Sequence, residues 1–345
     1  MMSFKVCLHV LGFITVILLP SIATGQTKTD AKPIELRLAH MMPASSPHHR
    51  HLENWAAKIA ADSGGRLKVR IFPANTLLPG PEIYDGVKNG AVDLGYSWRY
   101  KPTGFDIGGK FAFILNAPDT VTGGVLYDEI WAKFPREMEN EWKDVKVLYL
   151  VPSVPNYLAS TKSLSPLDSI KGQQLRVASN ELGTFVRQLG GTPAFMSHSD
   201  FIIGLDKGTV NGGGLLSVMV VDYKLGGKLK SIIMDPVGLA GPVFLAMNKD
   251  SYSKLPDDLK NVIDKSCEQG KKDGIKYFAA LQEETTKYFK ASNMEMIYLK
   301  GAEKQMFEEV YASVRQQVGK DLDAKGYPGT EIVRFITERV KHYSR

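Results

Sequence analysis

An α/β fold arranged as two facing lobes is what this sequence of 345 residues predicts. Three observations carry it. Strand and helix patterns alternate along the chain, one helix–glycine–strand segment recurs, and a single long amphipathic run begins at Pro256. The alternation argues for βαβ units with largely parallel pairing.

Ile34–His40 alternates apolar and polar residues as a half-buried strand does. A helix follows from near Pro47, with Leu52, Trp55, Ala56 and Ile59 on one face, and stops at Gly64 and Gly65. Leu67–Phe72 reads as strand, 81–89 as a short helix and 92–98 as a third strand. A helix over 122–142 precedes a strand at 145–151, then strands at 157–161 and 174–178 and a helix at 181–189. From Pro256 the spacing of Leu259, Ile263, Cys267, Phe278 and Phe289 predicts one helix to about Ala291. At 1.5 Å per residue it extends ~50 Å, more than one lobe's width, which makes it a brace across both. Gly270 and Gly274 permit close packing along it. A strand at 294–299 and helices at 302–325 and 328–342 close the chain.

The internal echo pairs YDGVKNGAVDLG at 84–95 with IIGLDKGTVNGG at 202–213. Gly86 matches Gly204, Gly90 matches Gly208, Asp93 matches Asn211 and Gly95 matches Gly213. Each segment is a short helix, a glycine at its C-cap and a strand. That junction is common enough for coincidence to stay open. If the echo is real, it marks two similar lobes, and ligands in such sheets bind beyond the carboxyl ends of the strands.

The first 25 residues read as a cleaved leader: Lys5, an apolar run over 6–19, then Ala23-Thr24-Gly25 before Gln26. Its removal takes away Cys7 and leaves Cys267 without a partner in the chain, as a small buried hydrophobe. An exported chain with no internal disulfide fits the periplasm, with cleavage near Gly25-Gln26. The 43 basic and 37 acidic residues give +6, spread along the chain, unlike the concentrated basic face of a nucleic-acid binder.

Catalytic signatures are missing. There is no G-x-S-x-G, H-E-x-x-H, Walker loop or dinucleotide fingerprint, so the chain reads as a binding protein and no cofactor is expected. Gly212-Gly213-Gly214 reads as a flexible crossing. His48 and His51 share a helix face near His40 and His49, but nothing completes a metal site, and a solvated helix start is the reading favoured.

The run Ser165-Pro166-Leu167-Asp168-Ser169-Ile170-Lys171-Gly172-Gln173-Gln174-Leu175-Arg176-Val177 resembles the solute-binding proteins of TRAP (tripartite ATP-independent periplasmic) transporters. Leu189-Gly190-Gly191-Thr192-Pro193 and Gly208-Thr209-Val210-Asn211-Gly212 follow in that family's order and spacing. The resemblance implies a two-lobed, type II-like Venus-flytrap fold that closes over a small organic anion and passes it to TRAP membrane subunits. It also implies that Arg176 pairs with the ligand's carboxylate or sulfonate. A planar guanidinium suits that role through two parallel hydrogen bonds. Without the motif, Arg176 would read as a surface arginine on a strand.

The chain departs from the family pattern in three places. A second arginine of many members falls at Asn156, the motif's Asp is Asn211, and an acidic-Asn-Pro triplet is replaced by Gly214-Leu215-Leu216. A single anionic head is then the simpler ligand. Tyr96, Trp98, Tyr100, Tyr157 and Phe195 suggest aromatic walls for an apolar or aromatic body, with core packing the default for any one of them. Arg99 and Lys101 would add positive potential at the mouth. The candidate ligand-binding set is Arg176, Asn156, Tyr96, Trp98, Tyr100, Tyr157, Phe195, Asn211 and Gly213.

The expected organisation is a leader over 1–25, lobe I over 26–153 plus about 240–270, and lobe II over 154–239 plus about 271–345. Two other functions stay in view: an exported enzyme using Ser97, Asp93 or a histidine of 40–51, and a binding protein coupled to a sensor.

Overall fold

The computed structural model describes residues 32–99, 105–239 and 241–344, so the expected leader lies outside the described residues. The strands in chain order are β1 Ile34–His40, β2 Leu67–Phe72, β3 Leu94–Trp98, β4 Lys146–Val151, β5 Asn156–Ser160, β6 Gln174–Val177, β7 Thr192–Phe195, β8 Gly212–Leu216, β9 Ser231–Ile233, β10 Val243–Met247 and β11 Glu295–Ile297. The helices are α1 Pro47–Asp62, α2 Ile83–Lys88, α3 Gly108–Ile114, α4 Thr120–Lys133, α5 Pro135–Glu141, α6 Asn180–Gln188, α7 His198–Asp206, α8 Ser217–Asp222, α9 Lys249–Ser253, α10 Asp257–Ala291, α11 Gly301–Asp323 and α12 Gly329–Tyr343.

Two sheets form, in the orders β2-β1-β3-β10-β4 and β7-β6-β8-β5-β9-β11. Both run second, first, third, crossing strand, fourth, so the second sheet repeats the first and adds β11 at its edge. Pairing is mixed where largely parallel pairing was expected. β10 runs antiparallel to both β3 and β4, and β5 antiparallel to both β8 and β9. Each of these strands arrives from the other sheet and inserts against the local strand direction.

The sequence echo falls on this repeat. Gly90 (φ 74°) and Gly208 (φ 69°) take the left-handed turn that glycine allows without strain. The matched residues after them then make the same contacts. Asp93 Oδ2 accepts the Arg37 backbone N–H (2.9 Å), and Asp93 N–H donates to Arg37 O (3.1 Å). Asn211 Oδ1 accepts the Gln174 N–H (2.9 Å), and Asn211 N–H donates to Gln174 O (2.7 Å). In both lobes this side chain pins the start of the third strand to the first.

Each sheet buries both faces. Leu38, Tyr96, Val151 and Leu245 of the first sheet pack with α1 and α10, while Ala39, Leu150 and Phe244 pack against α2 and Trp142. In the second, Leu158, Leu175 and Val177 pack with α6, α11 and α12, and Tyr157, Ala159 and Leu215 pack with α7 and α8. Helices α3 and α4 lie in the cluster of the second sheet. Pro135 divides the expected 122–142 helix into α4 and α5, because proline is tolerated only in a helix's first turn.

Helix α10 runs 35 residues and braces both cores. Leu259, Ile263 and Phe278 enter the core of the first sheet and Phe289 that of the second. Its two inner glycines set the approach. A Cβ on Gly270 would stand 2.7 Å from the Tyr149 ring, and one on Gly274 would stand 3.0 Å from Val151 Cγ1.

His48 and His51 in the first turns of α1, and His40 at the end of β1, are buried, contrary to the solvated helix start expected. His40 is 1 % and His48 5 % exposed. The reason is aromatic packing: His48 lies edge-on to Trp98, Tyr277 and Phe278 and bonds the Tyr96 hydroxyl at 2.9 Å, while His51 bonds that of Tyr149 at 2.8 Å. Among the described residues no three His, Cys, Asp or Glu side chains gather as metal ligands. Burial above all, with neighbouring imidazoles adding, pushes His48 down to about 3 and His40 to about 4.

Two outcomes follow. Gly270→Val overpacks the helix against Tyr149 and should cost about 1–3 kcal/mol in urea unfolding, whereas exposed Lys272→Ala stays within about 0.5 kcal/mol. His48 has a folded-state value below its unfolded 6.5, so the unfolded chain takes the proton first. The stability contributed by neutral His48 is whole above pH 6.5 and is lost as pH falls toward about 3. Unfolding at pH 6.5 and 5 should therefore show His48→Gln losing about 2 kcal/mol less than the unaltered protein, and equal losses contradict this.

Candidate functional site

The second sheet carries its one buried guanidinium near the carboxyl end of β6. Leu175 and Val177 point to the α6 side, so strand alternation turns Arg176 to the α7–α8 side. There it is 5 % exposed. Nη1 donates to Gly214 O at 2.9 Å and Nε donates to Met196 O at 3.3 Å. Both acceptors are neutral backbone carbonyls. Among the described residues no carboxylate pairs with Arg176, and burial alone pushes its pKa down to about 10, which leaves it charged at neutral pH. Nη2 has no hydrogen bond among the described residues and is not among the sealed, unpartnered polar atoms, so it keeps access to solvent.

Strand β8 makes room for this side chain. Gly212-Gly213-Gly214 is a buried strand, in place of the flexible crossing expected from its composition. Its glycines are required by close approach: a Cβ on Gly212 would lie 2.0 Å from Ala159 O, one on Gly213 2.7 Å from Arg176 Cβ, and one on Gly214 2.4 Å from Leu182 Cδ2. Gly213 is therefore the floor on which the Arg176 stem lies.

Asn156 joins this end of the sheet. It pairs with Leu216 at the end of β8, its backbone bonds Gly238 and Val237, and its half-buried side-chain amide makes no hydrogen bond among the described residues. Tyr157 shares the Arg176 face but is buried, pushed up to about 12 by burial with Gln282 of α10 at its hydroxyl. Leu216 borders the cores of both sheets, with Met196 beside one and Trp98, Val218 and Tyr277 beside the other. This shared border, next to the open edge of Arg176, is the candidate site.

Other sequence candidates lie elsewhere. Tyr96 is 1 % exposed in the first core with its hydroxyl spent on His48. Asn211 is committed to strand pairing at the opposite end of β8. Phe195 is 56 % exposed, but its ring rests over Gly183 of α6, on the sheet face away from Arg176. Arg99 is stacked on Tyr84, Phe105 and Trp142 and donates to Glu141 O, so three rings hold a charge that was expected at the mouth. Tyr100 and Lys101 lie outside the described residues. The sequence reading missed the carbonyls of Met196 and Gly214, and Leu216 and Tyr277. The Gly212–Gly214 run was the available signal, because consecutive glycines inside a strand mark close backbone approach.

Two hollows elsewhere, about 540 Å³ between α11 and α12 and about 410 Å³ beside α4 and α10, do not include Arg176. The buried Arg315 in the first is spent on Ile114 O and Asn116.

The model of bacterial extracellular solute-binding protein family 7 (DctP) matches residues 38–321. A TRAP periplasmic solute-binding protein from Desulfovibrio salexigens, solved as an open complex, superposes with a TM-score of 0.78 at 25 % identity, over 90 % of this chain and 97 % of that one. A marine-metagenome TRAP protein specific for aromatic acid ligands, in complex with 3-hydroxybenzoate, gives 0.78 at 20 % identity over 91 % and 100 % of the two chains. A third, from Rhodoferax ferrireducens with copurified benzoate, gives 0.74 at 22 % over 90 % and 98 %. The two-sheet α/β architecture is that of the two-lobed periplasmic binding proteins, and the chain belongs to the family 7 (DctP) extracellular solute-binding proteins.

Proposed function

We propose that this protein captures a small organic acid in the periplasm, anchors its carboxylate on Arg176 between the lobes, and delivers it to TRAP membrane subunits. The observation that carries the reading is the buried guanidinium without a counter-charge, held by two carbonyls with Nη2 open. A buried charge left unpaired is costly, and an arriving carboxylate relieves that cost, so the site selects for an anion. The benzoate and 3-hydroxybenzoate of the two structural relatives are acids of this class. Export follows from the leader reading of 1–25. Lobe I is taken as 26–153 with about 240–270 and lobe II as 154–239 with about 271–345, α3 and α4 of the first stretch packing onto the second sheet.

The test is isothermal titration against a panel of monocarboxylates, dicarboxylates and sulfonates. Arg176→Ala should lose roughly 2–5 kcal/mol of affinity for the best ligand, as for truncation of a buried hydrogen-bonded charge. Unchanged affinity with native unfolding behaviour removes Arg176 as the anchor. Turnover of that ligand without membrane subunits would favour the exported-enzyme reading instead.

A further inference from the structure

We infer that the hollow between α11 and α12 is a second binding site, which takes a small amphiphilic anion: one carboxylate head on a short aliphatic body. It lies apart from Arg176, and the inference stands whether or not Arg176 is an anchor.

The hollow has Arg315 in its lining, a side chain only 7 % exposed. The five N–H groups of this guanidinium are unequally used. Nε and Nη2 donate to Ile114 O at 3.0 and 2.6 Å, and Nη2 donates to Asn116 Oδ1 as well. These contacts, at the far end of α3, fix the plane of the group. Nη1 turns to α12 instead, where its one hydrogen bond among the described residues is to Thr337 Oγ1 at 3.5 Å. That is longer than a normal N–H···O bond. The Thr337 hydroxyl in turn donates to Val333 O at 2.8 Å. All of these acceptors are neutral. Among the described residues the one titratable group acting on Arg315 is the Tyr311 phenol, whose ring centre lies 4.7 Å from the guanidinium carbon. A carboxylate at Nη1 would supply both a shorter hydrogen bond and the missing counter-charge.

The rim has the same sign. Lys320 and Arg334 are exposed and make no ion pair among the described residues. The lining holds one carboxylate, that of exposed Glu338, which is likewise in no ion pair among the described residues. Three cations against one carboxylate draw an anion to the mouth. The wall between them is apolar, with Ala312 and Gly319 on α11 and Val333 on α12. At Gly319 the helices meet, where a Cβ would stand 3.2 Å from Thr330 Cα. The volume of about 540 Å³ suits a small molecule, whose sites span roughly 300–1,000 Å³. An inorganic ion would leave the apolar wall bare, and a neutral body would leave Arg315 without a counter-charge. The ligand therefore needs both halves.

Isothermal titrations at pH 7.5 test this on the full chain carrying Arg176→Ala, so that the other candidate site is disabled. The probes are octanoate, octanamide with the same body and no charge, and acetate with the head alone. Octanoate should bind once per chain, and the other two about tenfold more weakly or worse. Ala312→Phe fills the hollow from an exposed position and should weaken octanoate about tenfold or more without moving the melting temperature. Arg334→Gln at the rim should weaken it by a smaller factor, and decides the matter if Ala312→Phe melts early. Octanoate binding that these substitutions leave unchanged overturns the site, as does no binding of octanoate at millimolar concentration. Octanamide or acetate binding as tightly as octanoate overturns the amphiphilic anion as its ligand.

Discussion

The Arg176 guanidinium sits inside the second sheet with no carboxylate to balance it among the described residues, and the surrounding structure is arranged around that charge. Burial lowers its pKa from 12.5 to about 10, a penalty of roughly 3 kcal/mol on the charged form. Two backbone carbonyls offset part of this and fix the direction of the group. They can do so only because β8 is glycine at three successive positions, which brings a strand backbone against the arginine stem. Packing, strand composition and ligand chemistry are thus one constraint. A buried charge without a counter-ion is costly, and in the proposed reading an arriving anion would relieve that cost.

The architecture delivers this charge to a border between two similar bodies. The repeat is visible in strand order, in the paired left-handed glycines, and in the matching contacts of Asp93 and Asn211. Strands β5 and β10 each lie in the middle of a sheet whose other central strands run the opposite way, so the chain crosses between sheets through the heart of both. Helix α10 adds a rigid element shared by the two cores, with Gly270 and Gly274 bringing it close to β4. Leu216 borders both cores at the point where the ligand would enter.

Much of the fold was legible in local pattern. Strands β1 and β2, helices α1 and α10 and the closing helices follow from apolar spacing and from proline and glycine punctuation, which act over a few residues. What escaped reading depends on distant partners. Helix α3, which begins with Gly108-Gly109, has no cap or clear stripe of its own. It is held instead by Glu141, whose carboxylate accepts the Ile107 and Gly108 N–H groups, and by Arg315 at its far end. The burial of His48 comes from aromatic rings on β3 and α10, far away in sequence. In the candidate site, the motif points to Arg176, whose role as anchor is a proposal, and its setting carried no local signal. Asn211, expected in the ligand-binding set, bonds Gln174 across the strand pair, and Phe195 faces α6 by the period of two along β7. Backbone acceptors such as Met196 O carry no sequence signature at all.

A crystal structure of the protein with a bound acid tests the central claim most directly. The account predicts a carboxylate oxygen about 2.7–2.9 Å from Arg176 Nη2, with the contacts of Nε and Nη1 to Met196 O and Gly214 O retained. A ligand whose carboxylate lies elsewhere, with Arg176 still held only by those two carbonyls, would contradict it.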